Sequence, residues 1–500
     1  MKGEELVVLL NSRSKKNLLS GLLFQIINTI MGFILPYLFI NNLGSEANGL
    51  LSSMAQLFIY LNLLEAGVGA TSLQSLYKPI SENNKEDINH KLSAASQHYL
   101  RTGVYYATAI IVFAFFYPYI VNSSLSDDTI RFVVLIQGCG SLLSYTIRSV
   151  YVTFLNAKGD IYVLNYIQLI CSFFRQFGRI VALYLGCGIL TVQIIHLFAV
   201  VLETTIIIGY VKYKYNWVSV RDKPDFSALK QKNAALLKTV TFLIFNRTDV
   251  MVLTFITRNL KLVSVYTLYS LIFEAGQNIV DVIMKSYQYK IGRMSQGNKD
   301  AFYDYYKQYR YILTMVVFGG FTILYLMVKP FISVYTANVT DINYVMIAVP
   351  ELFFLVKLLY NIRGIQKQAV DAVGHFEQTK RISIKEMIIN LTISISLAMF
   401  IDIRGVLIGT VISLLVSDVL YTGYVDINIL SGKYDSAFLI QISLLSVVTA
   451  GIVFMDNSVL ISVNNYWQLM GIGVIMSIQI GALYLLMTYG AYLYYKRTRI

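Results

Sequence analysis

Fourteen long apolar runs, separated alternately by basic and by short, weakly charged turns, predict an all-α polytopic membrane protein. About 14 transmembrane helices are expected, as two six-helix lobes related by an axis along the membrane normal plus a C-terminal helix pair. Three observations carry this. Hydrophobic residues make up 56% of the chain and charged residues 14%, and the mean hydropathy is +0.59, far from an ordinary soluble composition. Of the 41 Lys and Arg, 29 lie in or beside alternate turns counted from the N-terminal tail, against Arg258, Lys261, Lys329 and Arg404 in the others. Basic turns stay in the cytoplasm, so both termini are expected there. The third observation is an internal repeat.

The runs lie near 18–40, 49–75, 98–121, 131–156, 161–185, 188–211, 239–257, 262–287, 309–330, 341–365, 382–402, 404–428, 438–456 and 466–493. The first, from Leu18 to Ile40, has the roughly 20 residues a span needs and reads as an uncleaved first helix. Residues 1–211 form the N-terminal lobe and 239–432 the C-terminal lobe. Between them, 212–238 (KYKYNWVSVRDKPDFSALKQKNAALLK) carries seven basic and two acidic residues and reads as a cytoplasmic strap. Residues 433–500 add a two-helix hairpin. The outer turns, such as NNLGSEAN and VNSSLSDDT, are too short to fold as a catalytic domain.

The repeat is seen where YTIRSVYVTFLNAKG (Tyr145–Gly159) aligns without gaps on YNIRGIQKQAVDAVG (Tyr360–Gly374), an offset of 215. Gly188-Ile189-Leu190 falls on Gly405-Val406-Leu407, and Gly209-Tyr210-Val211 on Gly423-Tyr424-Val425, at nearly the same offset. Six helices per repeat give both lobes the same sense in the membrane and imply a cavity between them at the midplane.

Charges inside spans mark candidate sites, because each must pair or face water. Arg148 and Arg363 are repeat mates on the fourth helix of each lobe, and Glu203 and Asp418 are mates on the sixth. Arg175 and Arg179 stand four residues apart on the fifth helix, so they share a face and call for an anion, either Glu203 or a bound phosphate. On the seventh helix Arg247 and Asp249 point about 200° apart and cannot pair with each other. The eighth carries a stripe of Glu274, Asn278, Asp281 and Lys285 that should line water. The first helix offers Gln25, Asn28, Gly32 and Pro36, and the second Glu65. Arg148, Arg175, Arg179, Arg247, Arg363, Gln25 and Asn28 are the candidate substrate contacts. Glu65, Asp249, Glu274 and Asp281 are candidates for coupling to Na+ or H+.

Other classes are disfavoured. The net charge of +13 sits in membrane turns, which suits topology and anionic headgroups rather than nucleic acid. The scattered Cys139, Cys171 and Cys187 form no disulfide or zinc pattern. His90, His98, His196 and His375 are dispersed, and phosphate-loop, paired-histidine and nucleophile-elbow motifs are absent. No cofactor and no enzymatic step is expected.

The run NNLGSEANGLLSSMAQLFIYLNLLEAGVGATSLQSLYKPISENN (Asn41–Asn84) resembles the second-helix signature of bacterial polysaccharide flippases. These belong to the multidrug/oligosaccharidyl-lipid/polysaccharide exporter superfamily. LNAKGDIYV (Leu155–Val163), FNRTDVMVLTFI (Phe245–Ile256) and VSVYTLYSLI (Val263–Ile272) are similar to its other recurrent stretches. The resemblance implies fourteen helices, alternating access, and outward movement of an undecaprenyl-diphosphate-linked oligosaccharide across the bacterial cytoplasmic membrane. It also implies a monomer working beside other polysaccharide assembly proteins. The peptidoglycan-precursor branch keeps arginines on its first two helices, where this chain has Gln25, Asn28 and Glu65. That departure points to an O-antigen, capsule or exopolysaccharide unit. A drug/cation antiporter of the same superfamily is the alternative, and a membrane-embedded glycan polymerase or ligase a more distant one.

Overall fold

The computed structural model describes residues 12–229, 248–295, 299–430, 436–456, 463 and 465–498. Among these, fourteen helical segments follow one another and no β-strand is formed. They are α1 (12–43), α2 (45–81), α3 (Lys85–Ile120), α4 (Asp127–Lys158), α5 (Ile161–Tyr184), α6 (Ile189–Lys214) and α7 (Asp249–Thr257). Then come α8 (Leu260–Ser295), α9 (Lys299–Tyr335), α10 (Val349–Val373), α11 (376–400), α12 (403–429), α13 (Ser436–Asp456) and α14 (Tyr466–Thr498). The chain turns without leaving helical hydrogen bonding at Gly44 (φ 84) and at Ile401–Asp402. Six of the described stretches are long and apolar enough to cross a bilayer, including Lys85–Ile120, Ile189–Lys214 and Gln378–Ile429. Large apolar side chains such as Phe115, Phe174, Phe177, Tyr184 and Trp467 stay exposed on the outside. This is a multi-pass membrane protein whose outer solvent is hydrocarbon.

Helix starts follow local chemistry. Asn84 caps α3 by accepting from the Asp87 amide at 3.1 Å, with Glu86 and Asp87 in the first turn. Ser126 caps α4 through the Thr129 amide at 3.3 Å. Both set side-chain acceptors against amides the helix leaves free. The ends of α4 and α10 repeat each other. Gly159 (φ 80) and Gly374 (φ 76) take the left-handed position only glycine adopts freely. In each case the next residue's amide bonds five residues back, Asp160 to Leu155 and His375 to Val370. The aligned glycines thus perform one job in both repeats.

The chain divides by its internal contacts into two compact units, 1–264 and 265–500. In the first, α1 packs on α5, α5 on α6, and α3 on α4. Its centre is a column of buried tyrosines: Tyr145 stacks on Tyr106 at 5.2 Å and meets Tyr99 edge-on at 5.4 Å. The start of α8 and the short α7 belong here too. Ser53 on α2 bonds Thr254 at 2.9 Å, and Asn48 donates to Ser264 at 2.8 Å. The part of the strap that is described lies on α3, with Asn89 donating to the Trp217 carbonyl at 2.9 Å and the Asp225 amide to His90 at 3.0 Å.

In the second unit α9 packs on α10, α13 and α14, around stacked Phe273, Phe321 and Phe353. The α11–α12 hairpin closes tightly. A Cβ on Gly409 would stand 2.6 Å from the Ser394 nitrogen, so only glycine lets the two backbones meet there.

Candidate functional site

The first unit holds a cavity of about 570 Å³ walled by α2, α4, α5 and α6, the size of a small-ligand site. Its wall is rich in donors: Asn62, Ser144, Arg148, Asn156, Gln168, Arg175 and His196. A π-helical turn, Ser144–Arg148, interrupts α4 at the cavity. It inserts one extra residue into the helix, and such turns recur at functional sites. Hydroxyls help absorb the irregular backbone: Thr146 donates to Leu142 at 2.8 Å and Ser149 to Ser144 at 3.1 Å. Tyr145, inside the turn, is anchored in the tyrosine column and bonds Thr102.

Arg148 meets Glu203 of α6 at 2.6 Å, and Arg175 of α5 reaches the other carboxylate oxygen at 3.8 Å. The Glu203 side chain is only 5% exposed, against 24% for Arg148 and 18% for Arg175. Arg175 also donates to Ser172 at 2.8 Å. Arg179, one turn on, lies over the Phe39 ring of α1 at 5.0 Å and donates to Gln176 at 3.4 Å. Its Nε is buried without an acceptor. Among the described residues no carboxylate pairs with it. One glutamate therefore serves two guanidinium groups, with the third, Arg179, one turn beyond Arg175. Of the two expected anion sources the structure supplies Glu203, which holds Arg148 at 2.6 Å and Arg175 at 3.8 Å, and an excess of positive charge is left.

The second unit arranges its charges differently. Arg363 on α10 bonds Glu386 of α11, stands 4.8 Å over the Tyr360 ring, and is buried. Ser417 donates to the same Glu386 at 2.9 Å. Asp418, the repeat mate of Glu203, is buried, and neither of its oxygens has a hydrogen-bond partner.

On α8, Glu274 accepts from Ser270 at 3.3 Å, Asp281 accepts from Gln277 at 2.9 Å, and Asn278 is exposed. Gln277 itself exchanges two hydrogen bonds with Asn361 of α10, at 2.8 and 2.9 Å. Asp249 opens α7. Arg247 lies outside the described residues, as do the side chains of Gln25, Asn28, Glu65 and Lys285. The structure thus brings Arg148 and Arg175 together on Glu203, leaves Arg179 one turn beyond against Phe39 and Gln176, and sets Arg363 with Glu386 in the second unit. Glu386 and the fully buried Arg310, which pairs with Asp426 at 3.3 Å beneath the Phe438 ring, are polar centres the sequence reading passed over. Both could have been flagged as charges within or at the edge of apolar runs.

No protein-family model matches the sequence, and no curated protein does. Among solved structures the chain is similar to the lipid II flippase MurJ in an inward closed conformation. The TM-score is 0.71 at 14% identity, over 95% of this chain and 100% of that one. An inward-facing multidrug resistance MATE family transporter of the MOP superfamily matches with a TM-score of 0.61 at 14% identity, over 81% and 95%. The MATE multidrug transporter DinF-BH matches at 0.53 and 14% identity, over 86% and 97%. The chain shares the fold of these solved structures.

Proposed function

We propose that this protein is a flippase that moves an undecaprenyl-diphosphate-linked oligosaccharide from the cytoplasmic to the outer leaflet for surface polysaccharide assembly. The observation that supports it is the first-unit cavity wall, where Arg148 and Arg175 share the single carboxylate of Glu203 and Arg179 follows Arg175 one turn on. Guanidinium forks match phosphate oxygens, and a wall of net positive charge favours an anionic cargo over a cation. Each unpaired sugar hydroxyl taken into hydrocarbon costs roughly 2–7 kcal/mol, so a polar cavity lowers the barrier while the lipid tail stays in the bilayer. Outward movement of a diphosphate runs with an inside-negative potential, at about 2.3 kcal/mol per charge per 100 mV. On this reading the protein sits in the bacterial cytoplasmic membrane with both termini inside, acts as a monomer without a cofactor, and hands its cargo to other polysaccharide assembly proteins. Arg247, Gln25 and Asn28 are further candidate contacts, and Glu65, Asp249, Glu274 and Asp281 candidate coupling groups.

The test is binding of undecaprenyl diphosphate to purified Arg175→Ala and Arg179→Ala proteins that elute as the wild type does. Loss of one charge-assisted contact should cost about 1.5–3 kcal/mol, roughly ten- to a hundredfold in affinity. Unchanged affinity in both variants would overturn the reading.

A second reading, an ion-coupled drug/cation antiporter, draws support from the second unit, where Glu386 and Asp418 outnumber Arg363. It predicts that vesicles containing the protein accumulate a cationic dye under an ion gradient.

A further inference from the structure

The two repeats carry the same arginine and the same sixth-helix acid at a common spacing. Arg148 and Glu203 become Arg363 and Asp418 at an offset of 215. In the first unit the pair is made, at 2.6 Å. In the second it is not: Arg363 bonds Glu386 instead, and both oxygens of Asp418 are left buried without a hydrogen-bond partner. Glu386 has no acidic counterpart, because the same offset leads back to Cys171. The second unit thus carries an acid on α11 that the first lacks, and its arginine pairs with it.

Charge counting gives this rearrangement a consequence. Asp418 is 8% exposed, and Arg363 and Glu386 lie within electrostatic reach of it. Lys367 of α10 also feels Arg363 and Glu386, but it is exposed, and Asp371 acts on it as well. Arg310 is taken by Asp426. From α11 and α12 the remaining groups are neutral hydroxyls: Ser417, which donates to Glu386, and Tyr421 with Ser383. Among the described residues, one buried guanidinium thus stands near two buried carboxyl groups and bonds one of them. An ionised carboxylate held out of water with no donor is among the costliest arrangements a protein can contain.

We infer that the Arg363–Glu386–Asp418 cluster is a proton-binding site in which Asp418 carries the proton while Arg363 is held by Glu386. The repeat supplies the alternative arrangement, since the first unit shows the arginine paired with its sixth-helix acid. When Arg363 turns to Asp418, the Asp418 proton leaves and Glu386, now without its guanidinium, takes one up. The site holds one proton throughout, and the partner of Arg363 selects the acid that carries it. Two acids drawing on a single arginine let a proton enter at one and leave from the other, which is what coupling to a proton gradient requires. The inference is independent of the cargo in the first unit.

The test is infrared difference spectroscopy on the purified full-length protein in sodium-free buffer at neutral pH, in H2O and D2O. The wild type should show the carbonyl band of a buried protonated carboxylic acid, shifted by D2O. Asp418→Asn should lose it, and Glu203→Gln, whose acid is already paired, should keep it. Survival of the band in Asp418→Asn overturns the assignment. Should that variant not fold, the wild type decides: no carboxylic acid band at neutral pH refutes the proposal. A band that vanishes on adding sodium assigns the site to sodium and refutes it equally.

Discussion

Glu203→Gln replaces a carboxylate oxygen by an amide nitrogen and so tests the cavity through charge with little change of shape. Among the described residues Glu203 is the carboxylate that pairs with Arg148 (2.6 Å) and Arg175 (3.8 Å). Removing one partner of a fully buried ion pair costs about 3–5 kcal/mol, because the other charge is left uncompensated. Arg148 is 24% and Arg175 18% exposed on a polar cavity, so about 2–3 kcal/mol is the better figure here. The variant should unfold at a lower temperature than the wild type. Its effect on a ligand runs the other way. An anion seated on the guanidinium groups would stand about 7 Å from the carboxylate, a repulsion of roughly 2 kcal/mol at an effective dielectric constant near 20. With part of that screened by cavity water, Glu203→Gln should bind undecaprenyl diphosphate about tenfold more tightly. The assay is thermal unfolding and lipid-diphosphate binding on one preparation, the latter at two salt concentrations, and the gain should shrink at high salt. A variant that is less stable and binds the anion no better would refute the reasoning. A cation site predicts the opposite sign, because Glu203 would then be the attracting group and dye affinity would fall.

Two further predictions concern the strap. Lys223 is exposed in it, and a cysteine placed there should react with an impermeant thiol reagent in inside-out vesicles but not in intact cells; labelling from outside would invert the proposed topology. Asp225 accepts from the Ser227 hydroxyl at 2.8 Å and its amide at 3.0 Å, and these donors hold its carboxyl below the usual carboxylate range. A depressed folded pKa adds stability that is complete above the ordinary aspartate value and lost as pH falls through the folded one. Proteolysis within the strap should therefore quicken as pH falls through and below the ordinary aspartate range, and Asp225→Asn should flatten that dependence.

The helices were legible in the sequence for a simple reason. A span must be apolar for its whole length, so composition alone marks it, and the turns announce themselves by charge. Gly159 and Gly374 were legible as repeat mates because a left-handed helix end admits few residue types. The site was legible only in part. Spacing puts Arg175 and Arg179 on one face, but nothing in a sequence sets the rotation of α5 against α6, on which the sharing of Glu203 depends. The buried bond between Gln277 and Asn361 escaped for the same cause, since each is unremarkable on its own helix.

The repeat itself helped only so far. Read as symmetry, it makes Arg148 and Arg363 mates and Glu203 and Asp418 mates, without saying which acid meets which arginine. The structure gives Arg363 to Glu386, whose position in the first repeat is Cys171. A search for matching residues cannot find Glu386, because its importance lies in having no match. Duplication fixes the helices and their order; each copy can then change its charges while keeping its packing. One copy here sets two arginines on Glu203, and the other sets Arg363 on Glu386 beside an Asp418 without a hydrogen-bond partner. Such opposite settings are what the proposed anion site and the proposed proton site each require.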